Sequence, residues 1–437
     1  MGPSLLILLS VAAHAWGSNP AIKAVLTDKG LQYGTHVGTD WLQARIRALS
    51  IPDISGDVSL RVLGSIHYTL SGMSVAQLNL PAPTMVFSEG TGVRAALSGL
   101  SVAVRGNWNI QFHVITGSGT LDMALFKVDV SSLTRVGSDE QGHLSVSSAQ
   151  CNSSIGGLQI TFHGQASSFF QRFVKYLKCQ IKSQIEEKIC LAVKQGIEDV
   201  ENYLAASRVS FQVNPALLLD MPLLSSPVVQ ASDINLNFKG EFYSVQSHTE
   251  PPFVANPFQL PRQDNFMVTL GASEFCVNSA AFAYFSAGLL QINITDDMIP
   301  SESPIRLNTT RFGVFVPQLP KMFPDMLMLV HTYASDTPMI SFLPDNTTLR
   351  LSGSAKAYAI KPDSSLAPLF RLDLDARFSG KFMMVDGKLK GSLMMNNLTL
   401  MLGASEVGTF QTTSLEEQLK VVVNMTVLPK VNGEHIP

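Results

Sequence analysis

The sequence predicts an α+β protein built in two similar halves, each a bent antiparallel sheet that carries a helix. Three observations lead there. Apolar and polar residues alternate through much of residues 57–163 and again over Phe370–Phe378, the period of two expected of strands with one buried face. An apolar stripe at helical spacing runs from Ser168 to Ala205. The stretch SHTEPPFVANPFQLPR, residues 247–262, then holds four prolines and reads as the linker between the halves.

Composition bounds the function. At 437 residues the chain is too long for one ordinary domain. A net charge of −3 excludes general nucleic-acid binding, which needs a basic balance. Charged residues are 15% of the chain against roughly 25% in ordinary soluble domains, and mean hydropathy is +0.19. So few charges fit a lipid-lined cavity. They fit equally a large β-rich protein with a Ser, Thr and Asn exterior.

Residues 1–17 read as a signal peptide. The apolar run Leu5–Ala13 is followed by small residues at Ala15 and Gly17. The run falls short of the ~20 residues a membrane span needs. The mature chain is therefore expected to be secreted. Six Asn-x-Ser/Thr sequons, at Asn152, Asn293, Asn308, Asn346, Asn397 and Asn424, agree with that route as glycosylation candidates. There are four cysteines, Cys151, Cys179, Cys190 and Cys276. In a secretory compartment two or all four are expected to pair, and their spacing is not that of a zinc site.

Thr27 to Leu49 reads as an amphipathic helix, with Leu31, Val37, Trp41, Leu42 and Ile46 on one face and Gly34 and Gly38 allowing close approach. Strands follow. Trp108, Ile110, Phe112 and Val114 alternate with polar residues. Leu121, Met123 and Leu125 do the same, and Phe126, Val128 and Val130 continue in the opposite phase, which predicts a β-bulge. Leu158, Ile160 and Phe162 repeat the alternation. The long helix carries Phe170, Phe173, Leu177, Ile181, Ile185 and Ile189, then Val193, Ile197, Val200 and Leu204, on a single stripe. At ~1.5 Å per residue it spans roughly 55 Å and needs an equally long partner, a curved sheet wrapped around it. In the second half Asp386-Gly387 reads as a hairpin turn, and Leu415, Leu419, Val422 and Met425 mark a late helix. The repeated style suggests an internal duplication.

No catalytic pattern is present: no GxSxG, HExxH, P-loop or GxGxxG. Asp373 and Asp375 fall on the polar face of an alternating strand, and Asp296-Asp297 precedes Met-Ile-Pro as a turn would. The expectation is a protein that is not an enzyme and has no metal or cofactor.

Several strings in order then carry a resemblance: NPAIKAVLTDKGLQYG (19–34), IPDISGD (51–57), KGEFYS (239–244), DDMIP (296–300), FVPQLPKMFP (315–324) and VLPKVN (427–432). Through them the chain resembles the family of bactericidal permeability-increasing protein and lipopolysaccharide-binding protein, nearest its fish members. The resemblance implies an elongated boomerang of two bent antiparallel β-barrels, each with a long helix, joined by a central sheet. It implies an N-terminal lipid-binding barrel domain at 18–246, the linker at 247–262 and a C-terminal barrel domain at 263–437. The family continues past VLPKVN with strands that complete the central sheet. The ending VNGEHIP therefore reads as a shortened form with an incomplete second barrel. Cys151 and Cys190 match the family disulfide, whereas Cys179 and Cys276 have no counterpart.

The same resemblance implies apolar pockets that hold phospholipid as a ligand. The partners are lipopolysaccharide, through its lipid A, and the bacterial outer membrane surface. Mammalian relatives carry a basic cluster at the tip of the first barrel. The matching hairpin here, VRGNWNIQFHVITGSG (104–119), has Arg105 before Trp108, but Asn109, Gln111, Phe112 and Thr116 where those relatives are basic. Arg61, with Arg94 and Arg105 as helpers and Trp108 beside them, are the candidate tip residues for lipopolysaccharide. Phosphate attraction at this hairpin is then feeble, and acyl-chain burial carries more of the affinity. Two functions stay open: lipopolysaccharide binding in innate defence, or plasma phospholipid transfer without a defence role.

Overall fold

The computed structural model describes residues 19–48, 50–60, 64–301, 303–385 and 388–433. The signal-peptide segment, Arg61 and the Asp386-Gly387 turn lie outside them. The chain starts with β1 (Ile22–Thr27) and α1 (Asp28–Arg47), whose first turn is capped by the Thr27 hydroxyl accepting from Gly30 N. Then come β2 (Ser50–Ile51), β3 (Ile54–Ser59), β4 (Ser65–Asn79), β5 (Thr84–Ser88), β6 (Gly92–Phe112), β7 (Ile115–Ser138) and β8 (Leu144–Gly164). They form one antiparallel sheet in the order β2-β4-β6-β7-β8, with β3 on β4 and β5 on β6.

Strands of more than twenty residues cannot stay flat, because each residue adds right-handed twist. Bulges sharpen the curl. The ladders shift register between Ser71 and Ser74 and between Leu97 and Leu100. Gly72 (φ 57°) and Gly99 (φ 77°) supply there a backbone that a side chain would strain. The predicted phase switch is at Lys127 (φ 51°). It comes one residue later than the alternation suggested, so Val128 enters the core while Phe126 is left 39% exposed.

The curled sheet is a half-barrel: β8 does not pair with β2 or β3, and a helix fills the gap. A short helix α2 (Ser167–Phe170), one tight turn at Gln171–Phe173 and α3 (Val174–Ala205) make up the long helical run. Phe170, Val174, Leu177, Ile181 and Ile185 are buried against Trp108, Ile110, Met123 and Ile160 of the concave face. Gly56 of β3 has no side chain where Gln180 and Tyr68 approach. The stripe is buried for only half its length. Past Ile189, Val193, Ile197 and Leu204 are half-covered and Val200 is 50% exposed. The reason is that the concave core ends near Leu100, Val128 and Ile155.

Next are β9 (Ser210–Gln212), β10 (Leu217–Asp220), β11 (Val228–Val229), β12 (Asp233–Phe238), β13 (Glu241–Ser244) and β14 (Val268–Ala272). A four-stranded sheet in the order β11-β12-β1-β14 joins strands from before and after the proline-rich stretch. That stretch is packed down. Ala255 is buried and accepts from Asn19 Nδ2 (2.9 Å). Phe253 lies edge-on to Phe275 and Phe282 of α4 (Glu274–Ser286).

The second half repeats the plan with β15 (Gln291–Thr295), α5 (Thr309–Phe312), α6 (Leu319–Met322), β16 (Met328–Ala334), β17 (Met339–Leu343), β18 (Asn346–Ile360), β19 (Leu366–Val385) and β20 (Lys388–Ser405). The sheet order is β15-β16-β18-β19-β20, with β17 on β18. Asp373 pairs with Arg371 (3.1 Å) and Asp375 with Arg350 (3.2 Å) on its polar face. Asp296 accepts from Leu307 N (2.7 Å) and Arg306 and ties down a loop.

The late helix runs through α7 (Thr413–Val422), a π turn at Val423–Val427 and α8 (Leu428–Gly433). Pro429 has no N–H for the preceding turn, and the widened turn rotates the stripe. Leu415 and Leu428 are buried, and Met425, expected on the stripe, is 75% exposed.

Candidate functional site

The curl of the first sheet leaves a cavity of ≈ 710 Å³ where the register shifts part the strands. It is bounded by Arg47 at the end of α1 and by the stretches 75–79 of β4, 101–103 of β6 and 124–126 of β7. Leu78, Val102 and Leu125 give it an apolar wall continuous with the core. Periodicity placed Leu125 on a buried strand face but did not identify Leu78 or Val102. The usable signal was positional: Gly72, Gly99 and the phase switch after Leu125 bracket the cavity on all three strands. Uncovered apolar side chains occur on both helices of this half, Tyr33 and Val37 on α1, and Leu191, Val200 and Tyr203 on α3.

Among the described residues, the candidate tip residues Arg94, Arg105 and Trp108 are not brought together. The β6–β7 hairpin turns at His113 and Val114, and Val114 is fully out in solvent. Trp108 points inward and is 1% exposed. Its indole N–H donates to His163 O (3.0 Å), and its rings lie 4.8 Å from Phe162 and 5.7 Å from Phe170. Phe112 is half-buried against Phe173. Arg105 is exposed on the other face and paired with Asp122 (3.3 Å), which also holds His163 (3.0 Å). Arg94 pairs across to Val86 and Leu133, eighteen residues before Phe112. At ~3.3 Å per residue that is roughly 60 Å of strand from the hairpin end.

Cys151 on β8 is joined to Cys190 on α3. Cys179 and Cys276 are free thiols, the first exposed and the second buried. Burial pushes the Cys276 thiol up to about 11. At pH 8 iodoacetamide is therefore expected to label Cys179 alone in the native protein, and both after denaturation. Two labels on the native protein would mean that Cys276 is not enclosed. Asn152, Asn293, Asn346, Asn397 and Asn424 are exposed. Asn308 instead caps α5, its side-chain oxygen accepting from Thr310 N and Arg311 N, while its Nδ2 donates to Asp325 (3.0 Å). Among the described residues no group of His, Cys, Asp or Glu is arranged to hold a metal, and no helix is long and apolar enough to cross a membrane.

Comparison with known proteins gives this geometry a context. The family described as LBP / BPI / CETP matches with its N-terminal domain over residues 30–203 and its C-terminal domain over residues 212–436. The bactericidal permeability-increasing protein of Sebastes schlegelii is 35% identical across 98% of this chain and 90% of its own length. The lipopolysaccharide-binding protein of Homo sapiens is 28% identical across 99% of this chain and 90% of its own. A crystal structure of lipopolysaccharide binding protein superposes with a TM-score of 0.57 at 27% identity, covering 96% of this chain and 93% of that one. Matched in both halves and nearly end to end, the chain belongs to the LBP / BPI / CETP family.

Proposed function

We propose that this protein is secreted and binds lipopolysaccharide of Gram-negative bacteria in innate defence, taking up lipid A through its acyl chains. Phospholipid occupies the same kind of apolar pocket, and the bacterial outer membrane is the surface on which the protein acts. Its family is one of lipid-binding proteins, not enzymes. Residues 18–246 and 263–437 act as two lipid-handling domains about the 247–262 segment, glycosylated at exposed sequons.

The observation that carries this reading is the ≈ 710 Å³ cavity with its apolar wall. That volume is in the usual range for ligand sites, ~300–1,000 Å³. Each acyl methylene buried there contributes ~0.8 kcal/mol. A two-chain lipid is thus held without polar bonds, and no bond need break to collect or deliver it.

Protein purified from a secreting host is expected to carry phospholipid in native mass spectrometry. Restoring lipid to a stripped sample at a hundred times its Kd should add about 2.7 kcal/mol of stability. Bare protein whose melting ignores added lipid would count against the pocket. Phospholipid transfer without a defence role is the competing reading, kept open by the poorly charged hairpin. Equal affinity for lipid A and for phosphatidylcholine would favour it.

A further inference from the structure

Among the described residues, the sheet of the second half has three free margins, β15, β17 and β20. Side chains of helices close two of them. On β17, Asn278 of α4 donates to Ile340 O (2.8 Å) and accepts from Ile340 N (2.7 Å), and Glu274 accepts from Phe342 N (2.7 Å). On β20, Glu416 of α7 accepts from Leu400 N (3.0 Å). Asn432 of α8 accepts from Leu393 N (2.7 Å) and donates to Leu393 O (3.0 Å). The third margin is different. Leu290 O accepts from Ala334 N, so the ladder to β16 uses the backbone groups of residues 290, 292 and 294. Those of Gln291, Asn293 and Thr295 point outward, and among the described residues no strand or side chain meets them.

An open edge is a template for another strand, and proteins commonly blunt one with charge or proline. Here neither is present. Residues 275–295, FCVNSAAFAYFSAGLLQINIT, contain no Asp, Glu, Lys, Arg or Pro. Ile292 is 52% exposed, and Ile292, Ile294 and Thr295 are β-branched residues that suit a strand. What the edge does carry is a sequon, Asn293-Ile294-Thr295. Asn293 is exposed, and its Oδ1 accepts from Nδ1 of His331 on β16 (2.8 Å). Its Nδ2, the atom to which a glycan is attached, has no protein partner among the described residues.

The edge is also self-complementary. Set antiparallel about a two-fold axis, β15 of two copies brings Asn293 opposite Asn293 and Ile292 opposite Ile294, with no charge on either strand and the outward backbone groups paired. Facing residues of such a hydrogen-bonded pair have Cα atoms ~5.5 Å apart, with their side chains on one face. Two glycans cannot stand at that spacing. We propose that an N-glycan on Asn293 guards this edge, and that without it two copies of the chain pair through β15. The proposal rests on the glycosylation reading above. Two five-residue strands bury far less than the ~1,000 Å² of a stable interface, so the association is weak and rises with concentration.

Glycopeptide mapping and sedimentation velocity on the full chain from a secreting host test this, with a melting curve to verify that each variant is folded. The wild type should carry a glycan on Asn293 and sediment as a monomer throughout a concentration series. Asn293→Gln keeps a side-chain amide but removes the sequon. Its average mass should climb with concentration toward twice the monomer value, and hydrogen exchange should slow along β15. Adding Ile292→Lys, at an exposed position, should restore the monomer by setting a charge into the pair. An Asn293→Gln chain that stays monomeric, or whose dimers survive Ile292→Lys, would overturn the edge contact and leave glycosylation standing. A wild type with bare Asn293 would remove the glycosylation reading at this site and the guard with it.

Discussion

Trp108→Ala is expected to cost about 3–5 kcal/mol, the range for truncating a fully buried large aromatic. The indole fills the space between Phe162 and Phe170, and its N–H satisfies the His163 carbonyl. Removing it opens a cavity and takes one hydrogen bond from that carbonyl. For a domain of about two hundred residues the melting temperature should fall by on the order of 10 °C. Affinity of the fraction that remains folded for lipid A should not change. A variant with unaltered melting and lost lipid A binding would show instead that Trp108 touches the ligand.

Replacing Cys151 and Cys190 together by alanine should cost about 4 kcal/mol on the chain-entropy model for a loop of 39 residues. Urea unfolding monitored at matched protein concentration measures it as a lower midpoint with a similar slope. An unchanged midpoint would mean that the bond does not constrain the chain. The free thiol Cys179 does not substitute for Cys190. Eleven residues along one helix place it roughly 16 Å away, beyond the ~7 Å over which two Cα atoms can be bridged.

The sheets and helices were legible because burial imposes a period on the sequence. Leu121, Met123 and Leu125 point one way because one face of β7 meets α3, and Phe170 through Ile185 mark the other side of that contact. Where burial stops, periodicity misleads. Val200 and Leu204 continue the stripe in sequence although the core has ended, and Val114 continues the alternation onto a turn. The candidate site was less legible still. Arg94 and Arg105 share a strand with Trp108, but a strand this long separates residues by tens of ångströms and alternates their faces.

The way α3 is fastened has a mechanical consequence. Along β8 the helix is held by a covalent bond and by three side chains: Gln171 on Ile160 and Phe162, Glu186 on Ile155 N (2.7 Å), and Glu201 on Val146 N. Along the opposite margin the polar attachment among the described residues is Gln184, which donates to Ser55 O (3.1 Å) and Tyr68 Oη (3.3 Å). The two margins therefore resist separation unequally. The β8 margin behaves as a hinge pin and the β3 margin as a latch made of weak, exchangeable contacts. A force that spreads the half-barrel is therefore expected to part the helix from β3 before it parts it from β8.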